Sequence, residues 1–376
     1  MPVYVQHIET LVPENAYSQE FAAECMNSWL DGDKQHRLVN RVYRHSGIGT
    51  RYSVLADFRP GAADPLFKIG PDGKPLEPGT RERNERFARE ARRMSVEVAR
   101  SAIERCPGTT PADVTHVITT TCTGFSNPGP DYHIVREVGL RPSTQRYALG
   151  FMGCYAALPA LRMARQFCKA DPSAVVLVVS IELCSLHLHF EDGMDSLLAN
   201  AIFADGAAAA IVSAREPRAG RSAYRLDSFA SALIPGAEKD MAWRIGDKGF
   251  EITLSTYVPK VIGANIRSLI EPTLASSGLL VKDIGRWAIH PGGKAILDKV
   301  QSELQLTPEQ TQASRDVLHR YGNMSSATSL FVLKELLDTA SAETREERVC
   351  AIAFGPGLTV ESAILVRSGA WQSVSR

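Results

Sequence analysis

Apolar residues in this chain fall into short continuous runs and longer stretches with helical spacing. Val175-Val176-Leu177-Val178-Val179-Ser180 is apolar until its last position, the pattern of a strand covered on both faces. Arg348-Val349-Cys350-Ala351-Ile352-Ala353-Phe354 predicts a counterpart late in the chain. Asp113–Thr120 and Asp283–His290 share a cadence, each a strand entered from a helix. Asp205-Gly206-Ala207 and Gly355-Pro356-Gly357 read as glycine turns into apolar strands at Ala208–Val212 and Leu358–Val366. Tyr4–Glu9 predicts one more short strand. Helical spacing predicts helices over Asn15–Leu30, Arg81–Arg105, Ala156–Lys169, Lys260–Ser276 and Ala327–Leu337. Residues 59–80, rich in Pro, Gly and Asp, read as a surface loop.

Strands alternating with helices imply an α/β fold with sheets layered between helices. The two matching passes imply a pseudo-two-fold chain, with halves 1–220 and 221–376 and a site where they meet.

Composition narrows the function classes. The 376 residues are 44% apolar and 22% charged, an ordinary globular balance. Lys+Arg and Asp+Glu number 42 each, so no global charge draws the chain to nucleic acid or an anionic membrane. An anionic ligand must meet a local patch, and Arg37, Arg41, Arg44, His45 and Arg51 form the densest one before residue 80. Those residues read equally as a solvated helix face. No signal peptide and no apolar run of membrane-spanning length is predicted. Seven cysteines without CxxC spacing argue against a disulfide framework or a metal site, and for the reducing cytoplasm.

One of those cysteines carries candidate chemistry. Cys154 stands between Gly153 and a predicted helix, where the helix macrodipole favours thiolate over thiol. A buried cysteine packing a helix on a sheet would read the same way. His290 ends a predicted strand before Pro291-Gly292-Gly293, so its imidazole stands at a sheet edge with nothing bulky behind it. Asn323, in a Gly-Asn turn before the helix Ala327–Leu337, is either that helix's N-cap or a donor that never titrates. Together the three can load an acyl group on sulfur and hold an enolate or oxyanion by hydrogen bonds.

Gly153-Cys154 with its helix, His290-Pro291-Gly292-Gly293, Tyr321-Gly322-Asn323-Met324-Ser325-Ser326-Ala327 and Phe354-Gly355-Pro356-Gly357-Leu358-Thr359-Val360-Glu361 resemble the type III polyketide synthases, the chalcone and stilbene synthase superfamily. The match runs from about Arg41 to Val366. The resemblance implies a thiolase-like αβαβα fold, a homodimer, and a Cys-His-Asn triad that uses an acyl-CoA starter and malonyl-CoA. It implies CoA thioesters as substrates. No phosphate-binding glycine motif for a nucleotide cofactor and no metal-ligand spacing is read in the sequence, so no separate cofactor or metal is expected. The resemblance places Phe203 as a gate between the CoA tunnel and the cavity. Ser325 falls in the cavity, with the Gly355-Pro356-Gly357 loop shaping its floor, and Arg41, Gly292 and Gly293 fall at the CoA site.

Against the plant chalcone synthases there are departures. Cys122 and Cys184 stand at two cavity threonines, Ile252 near a second gate aromatic, and Trp243 near a glycine of the aromatic starter pocket. Leu38 and His45 replace basic residues flanking Arg41. These departures weigh against a coumaroyl-type starter and toward fatty acyl starters released as alkylpyrones or alkylresorcinols. A single-condensation relative of β-ketoacyl-carrier-protein synthase III or hydroxymethylglutaryl-CoA synthase shares the triad logic. A thiolase-fold protein that binds acyl-CoA without turnover is the non-enzymatic alternative.

Overall fold

The structure is a computed structural model that describes residues 1–59, 61–190, 193–340 and 346–369. Pro60 of the 59–80 loop and the end of the second half, from 370 on, lie outside the described residues. Among the described residues nine strands form one sheet. Its order is Arg286–Ile289, Glu347–Gly355, Thr359–Ser368, Ala223–Leu233, Tyr4–Leu11, Asp205–Ser213, Val175–Leu183, His116–Thr121 and Gln145–Gly150.

The sheet reads the same way outward from its middle. Tyr4–Leu11 meets Ala223–Leu233 through two residue pairs, Tyr4 with Arg225 and Val5 with Tyr224. On one side follow two antiparallel pairings and then the parallel pairing of Val175–Leu183 with His116–Thr121. On the other side Thr359–Ser368, Glu347–Gly355 and Arg286–Ile289 repeat that sequence, again ending in a parallel pair.

Alternating burial along these strands builds the layers. Leu177, Val179, Ala207, Ala209 and Ile211 face the helix Thr80–Arg105 through Phe87, Ala91, Met94 and Val98. Val176, Val178, Ala208, Ala210 and Val212 face the other way, into a central layer with the helices Ala157–Ala170 and Ser326–Asp338. Ala351, Ala353, Ala363 and Leu365 close that layer from the second half. Trp287, Ile289, Ile352 and Ile364 pack outward onto Val258–Ala275 and Lys294–Leu304. The result is five alternating helix and sheet layers, the αβαβα arrangement. Alanines dominate Asp205–Ser213 because helices press both of its faces. Extra methylenes there would cost about 1–3 kcal/mol each site through overpacking.

Several expected boundaries shift. Asn15–Ser18 is a strand paired with Thr50–Ser53, not the start of a helix, and the helix is Gln19–Trp29 with Ser18 capping it through Phe21 N–H. The basic cluster is split: Arg37, Arg41 and Arg44 sit on the helix Asp33–Arg44, whereas Arg51 lies on the strand and turns inward. Gly206 is no turn residue; it lies inside Asp205–Ser213, where a Cβ would come 2.4 Å from Met324 Sδ. The strand after Pro111–Asp113 is His116–Thr121, and Val175 runs on to Leu183.

This topology places the site. The parallel strands His116–Thr121, Gln145–Gly150 and Val175–Leu183 all end on one side, delivering Cys122, Cys154 and Cys184. Arg286–Ile289 and Glu347–Gly355 end there too, delivering His290 and Pro356. Crevices at strand C-termini are the usual ligand sites of such sheets.

Candidate active site

Cys154 sits on a sharp bend between the strand Gln145–Gly150 and the helix Ala157–Ala170. Two residues with positive φ make that bend, Phe151 at 60° and Gly153 at 82°. A Cβ on Gly153 would lie 2.6 Å from Pro356 Cδ, and one on Gly355 would lie 2.5 Å from Tyr155 Cδ1. Both glycines therefore let the Gly355-Pro356-Gly357 loop close directly on the nucleophile's turn.

The macrodipole expectation for Cys154 does not hold in the resting protein. Burial pushes its thiol up from 9.0 to about 12, and the nearby Glu182 carboxylate pushes the same way. Ser325 and Asn323 hydrogen-bond the sulfur and oppose the rise. The net change corresponds to about 4 kcal/mol, whereas a helix terminus offers about 0.3–1 kcal/mol, and about 2 at best. Desolvation wins.

His290 follows the strand Arg286–Ile289, and its N–H donates to Ile352 O at 2.7 Å. Neither ring nitrogen has a hydrogen-bond partner among the described residues, although the ring is buried. Burial pushes its pKa down from 6.5 to about 3, so the imidazole is neutral at pH 7. A neutral ring offers one N–H donor and one acceptor nitrogen. It can take the Cys154 proton, and the resulting ion pair supplies the stabilisation that burial denies either charge alone.

Asn323 is not a helix cap. Its Oδ1 accepts from Ser325 N–H at 2.9 Å, and the helix Ser326–Asp338 has no side-chain cap. With the oxygen committed to its own turn, the amide NH₂ is left as the donor toward the cavity. Ser325 itself has φ 46° and ψ −129°, a strained conformation for a residue with a Cβ.

Two residues unremarked in the sequence stand behind this trio. Glu182 is fully buried, with its carboxyl raised by desolvation. It accepts from Cys122 N–H at 2.9 Å, Thr123 Oγ1 at 3.1 Å and Ser326 Oγ, so it ties the ends of the first half's strands to the central layer. A carboxylate within Val175–Leu183, where Ser180 is the other polar residue, was the available signal. His187 lines the cavity beside Cys184; its Nδ1 accepts from Phe250 N–H at 3.0 Å and its Nε2 donates to Thr123 O at 2.8 Å. Both ring nitrogens are thus used structurally.

One cavity gathers these residues. Cys154, His290, Asn323, Ser325, Cys122 and Cys184 all line it, as do Phe203, Ile252, Trp243, Gly292 and Pro356. Gly355 and Gly357 support the loop without lining it. Trp243 and Ile252 are direct partners across the ribbon Met241–Gly246 with Gly249–Leu254, so they reach the cavity from one face. Trp243 Nε1 donates to Cys122 O at 2.6 Å, and its ring meets His187 and Phe250 edge-on. A second opening, bordered by Arg41, His45, Gly292, Gly293 and Lys294, shares Ile202, Leu254, Gly292 and Ile296 with the cavity. Phe203 does not border that opening.

Comparison with known proteins identifies the family and the fold. The N-terminal domain description of chalcone and stilbene synthases matches residues 3–217, and the C-terminal domain description matches 225–369. The Mycobacterium tuberculosis protein named alpha-pyrone synthesis polyketide synthase-like Pks18 is 33% identical over 369 residues, covering 96% of this chain and 90% of its own. Bisdemethoxycurcumin synthase of Oryza sativa subsp. japonica is 37% identical over 282 residues, covering 72% of this chain and 70% of that one. The crystal structure of PKS-I from the brown alga Ectocarpus siliculosus superposes with a TM-score of 0.90 at 30% identity, over 97% of this chain and 98% of that chain. The C-terminal type III polyketide synthase domain of Steely1 from Dictyostelium superposes with a TM-score of 0.85 at 30% identity, over 97% and 99%. The chain belongs to the chalcone and stilbene synthases, type III polyketide synthases that act as malonyl-CoA-dependent acyltransferases.

Proposed function

We propose that this enzyme loads a fatty acyl group from CoA onto Cys154, extends it with malonyl-CoA and releases a pyrone. The observation that carries the reading is one apolar cavity into which Cys154, a neutral His290 and the Asn323 amide all open. His290 takes the thiol proton as sulfur attacks the starter thioester, and the proton then passes to the departing CoA sulfur. Malonyl-CoA next loses CO₂. The enolate oxygen is held by hydrogen bonds from the His290 ring N–H and the Asn323 amide. The enolate carbon attacks the acyl carbonyl, the carbon–sulfur bond breaks, and Cys154 leaves as thiolate. The lengthened chain, now a CoA thioester, returns to Cys154 with release of CoA before each further extension. Finally an enol oxygen attacks the chain's thioester carbonyl, closes a lactone and expels the thiol, which takes up the enol proton.

On this reading the chemistry needs no cofactor beyond the CoA thioesters, whose phosphates meet Arg41 and the Gly292-Gly293 backbone at the opening. The relative named for alpha-pyrone synthesis supports the pyrone product. A homodimer is part of the proposal. Among the described residues no helix is long and apolar enough to cross a membrane, and a cytoplasmic location is part of the proposal. Mass spectrometry of products from a panel of acyl-CoA starters with malonyl-CoA tests the whole. Pyrones from fatty starters are expected; a single condensation, or no acyl adduct on Cys154, would refute it.

A further inference from the structure

The helix Asp33–Arg44 carries one acidic residue, Asp33, and four cations, Lys34, Arg37, Arg41 and Arg44. Their spacing of three, four and three keeps the four cations within about 80° of one another around the helix, in a row about 15 Å long. All four are exposed, and none of their side chains has an ion pair or hydrogen bond among the described residues. Val39 and Tyr43 bury the opposite face against Met26, Leu30 and Leu197, so the core fixes which way the row points. Leu38 and Val42 lie between the two faces and border the opening beside Gly292 and Gly293.

A CoA molecule in that opening uses only part of the row. The cations that border it are Arg41, His45 and Lys294, and Lys294 is already paired with Asp298 at 2.5 Å. Lys34, Arg37 and Arg44 do not border it; they carry the row onward over the outer surface. Like charges three and four residues apart repel on a helix. Their alignment therefore costs stability, which a partner of opposite charge returns. The same rim also exposes apolar groups. Met194 and Tyr257 stand out of the surface, Met194 bordering the opening and Tyr257 lying between Thr256 and Val258, which border it too.

We infer that this face docks a carrier protein, an acidic helical domain that presents the acyl group as a thioester on a pantetheine arm. The arm enters by the opening. A row of carboxylates on the carrier lies along Lys34, Arg37, Arg41 and Arg44, and apolar residues beside that row meet Met194 and Tyr257. Transfer is the thioester exchange already described: the Cys154 sulfur bonds to the acyl carbon, the bond to the pantetheine sulfur breaks, and that sulfur takes up the proton. A flat anionic membrane calls for cations spread round the rim, whereas a single row along one helix matches the side of another helix. The inference goes beyond the proposed function, which acylation of Cys154 by palmitoyl-CoA tests separately.

The test compares the parent enzyme with the double variant Arg37→Glu, Arg44→Glu, using palmitoyl-CoA and a bacterial acyl carrier protein charged with palmitate. The parent is expected to accept both donors. In the variant, kcat/KM for the charged carrier should fall about tenfold or more through KM, since steering by complementary charge is worth about 10–10³ in association rate. Added salt should narrow the gap between the two proteins. Palmitoyl-CoA should be used as before, which also reports that the variant is folded. No turnover of the charged carrier by the parent, an undiminished rate in the variant, or equal loss with both donors would overturn the inference. So would retention on vesicles of anionic phospholipid that the double variant abolishes while carrier kinetics stay the same, since that result gives the row to a membrane.

Discussion

Phe203 and Asn323 are joined by a short parallel bridge. Asn323 N–H donates to Ile202 O at 2.9 Å, and Ala204 N–H donates to Asn323 O at 2.9 Å. The Phe203 ring and the Asn323 amide, both lining the cavity, are therefore set by one backbone contact. That contact does not involve either side chain.

The bridge separates the chemical role of Asn323 from its structural one. Asn323→Ala should lower malonyl-CoA decarboxylation by roughly 10²–10³-fold through loss of one donor. The fold loses the bond from Ser325 N–H to Oδ1, about 1 kcal/mol, and the amide's bond to the Cys154 sulfur, which keeps the stronger one from Ser325. Starter loading, measured as Cys154 acylation, should be largely kept. An equal defect in loading, or a collapse of the melting temperature, would make Asn323 a structural residue.

His290 should govern the acidity of Cys154. Burial raises the thiol to about 12 and lowers the imidazole to about 3, so each charge is stable only beside the other. The thiolate fraction at neutral pH then depends on proton transfer to His290. In His290→Ala the pH for half-maximal alkylation of Cys154 should move upward, toward the burial-raised thiol. Alkylation profiles that superpose for the two proteins would show that His290 does not take this proton.

Ser325 trades stability for its hydroxyl. Its φ of 46° costs a non-glycine residue about 1–3 kcal/mol, and glycine would largely relieve this. Ser325→Gly should raise the denaturant midpoint by an amount worth about 1 kcal/mol. The same change removes an oxygen 3.2 Å from Cys122 Sγ and a hydrogen bond that favours the Cys154 thiolate, so loading should slow. A lower midpoint would mean that the hydroxyl's contacts outweigh the strain.

Trp243 should set starter shape. Trp243→Gly removes the ring and its bond to Cys122 O, and opens the side of the cavity that bears Cys122 and His187. The ratio of kcat/KM for coumaroyl-CoA to that for a fatty acyl-CoA should rise. Competition between the two starters, read by mass spectrometry of the products, measures it directly. A ratio that stays constant would place the aryl group elsewhere.

Much of the fold was legible in the sequence. Val175–Leu183 and Glu347–Gly355 stand out because both faces of each are covered, which leaves no polar period to confuse the reading. The helices Ala157–Ala170 and Thr80–Arg105 announce themselves by spacing within one residue of their ends. Asn15–Ser18 did not, because four residues carry too little periodicity and its strand character comes from pairing with Thr50–Ser53. Gly206 resembled a turn, yet its lack of a side chain answers Met324, 118 positions away.

The site divides along the same line. Cys154, His290 and Asn323 could be named from sequence because each sits in a local motif whose backbone needs glycine: Gly153 before the cysteine, Gly292-Gly293 after the histidine, Gly322 before the asparagine. Local sterics write themselves into neighbouring residues. The state of charge does not, because it depends on how much solvent the whole fold removes. Only the packed structure decides that Cys154 rests as a thiol, that His290 is neutral, and that Glu182 lies behind both halves. Only it sets Trp243 across Cys122, since that contact joins segments far apart in the chain.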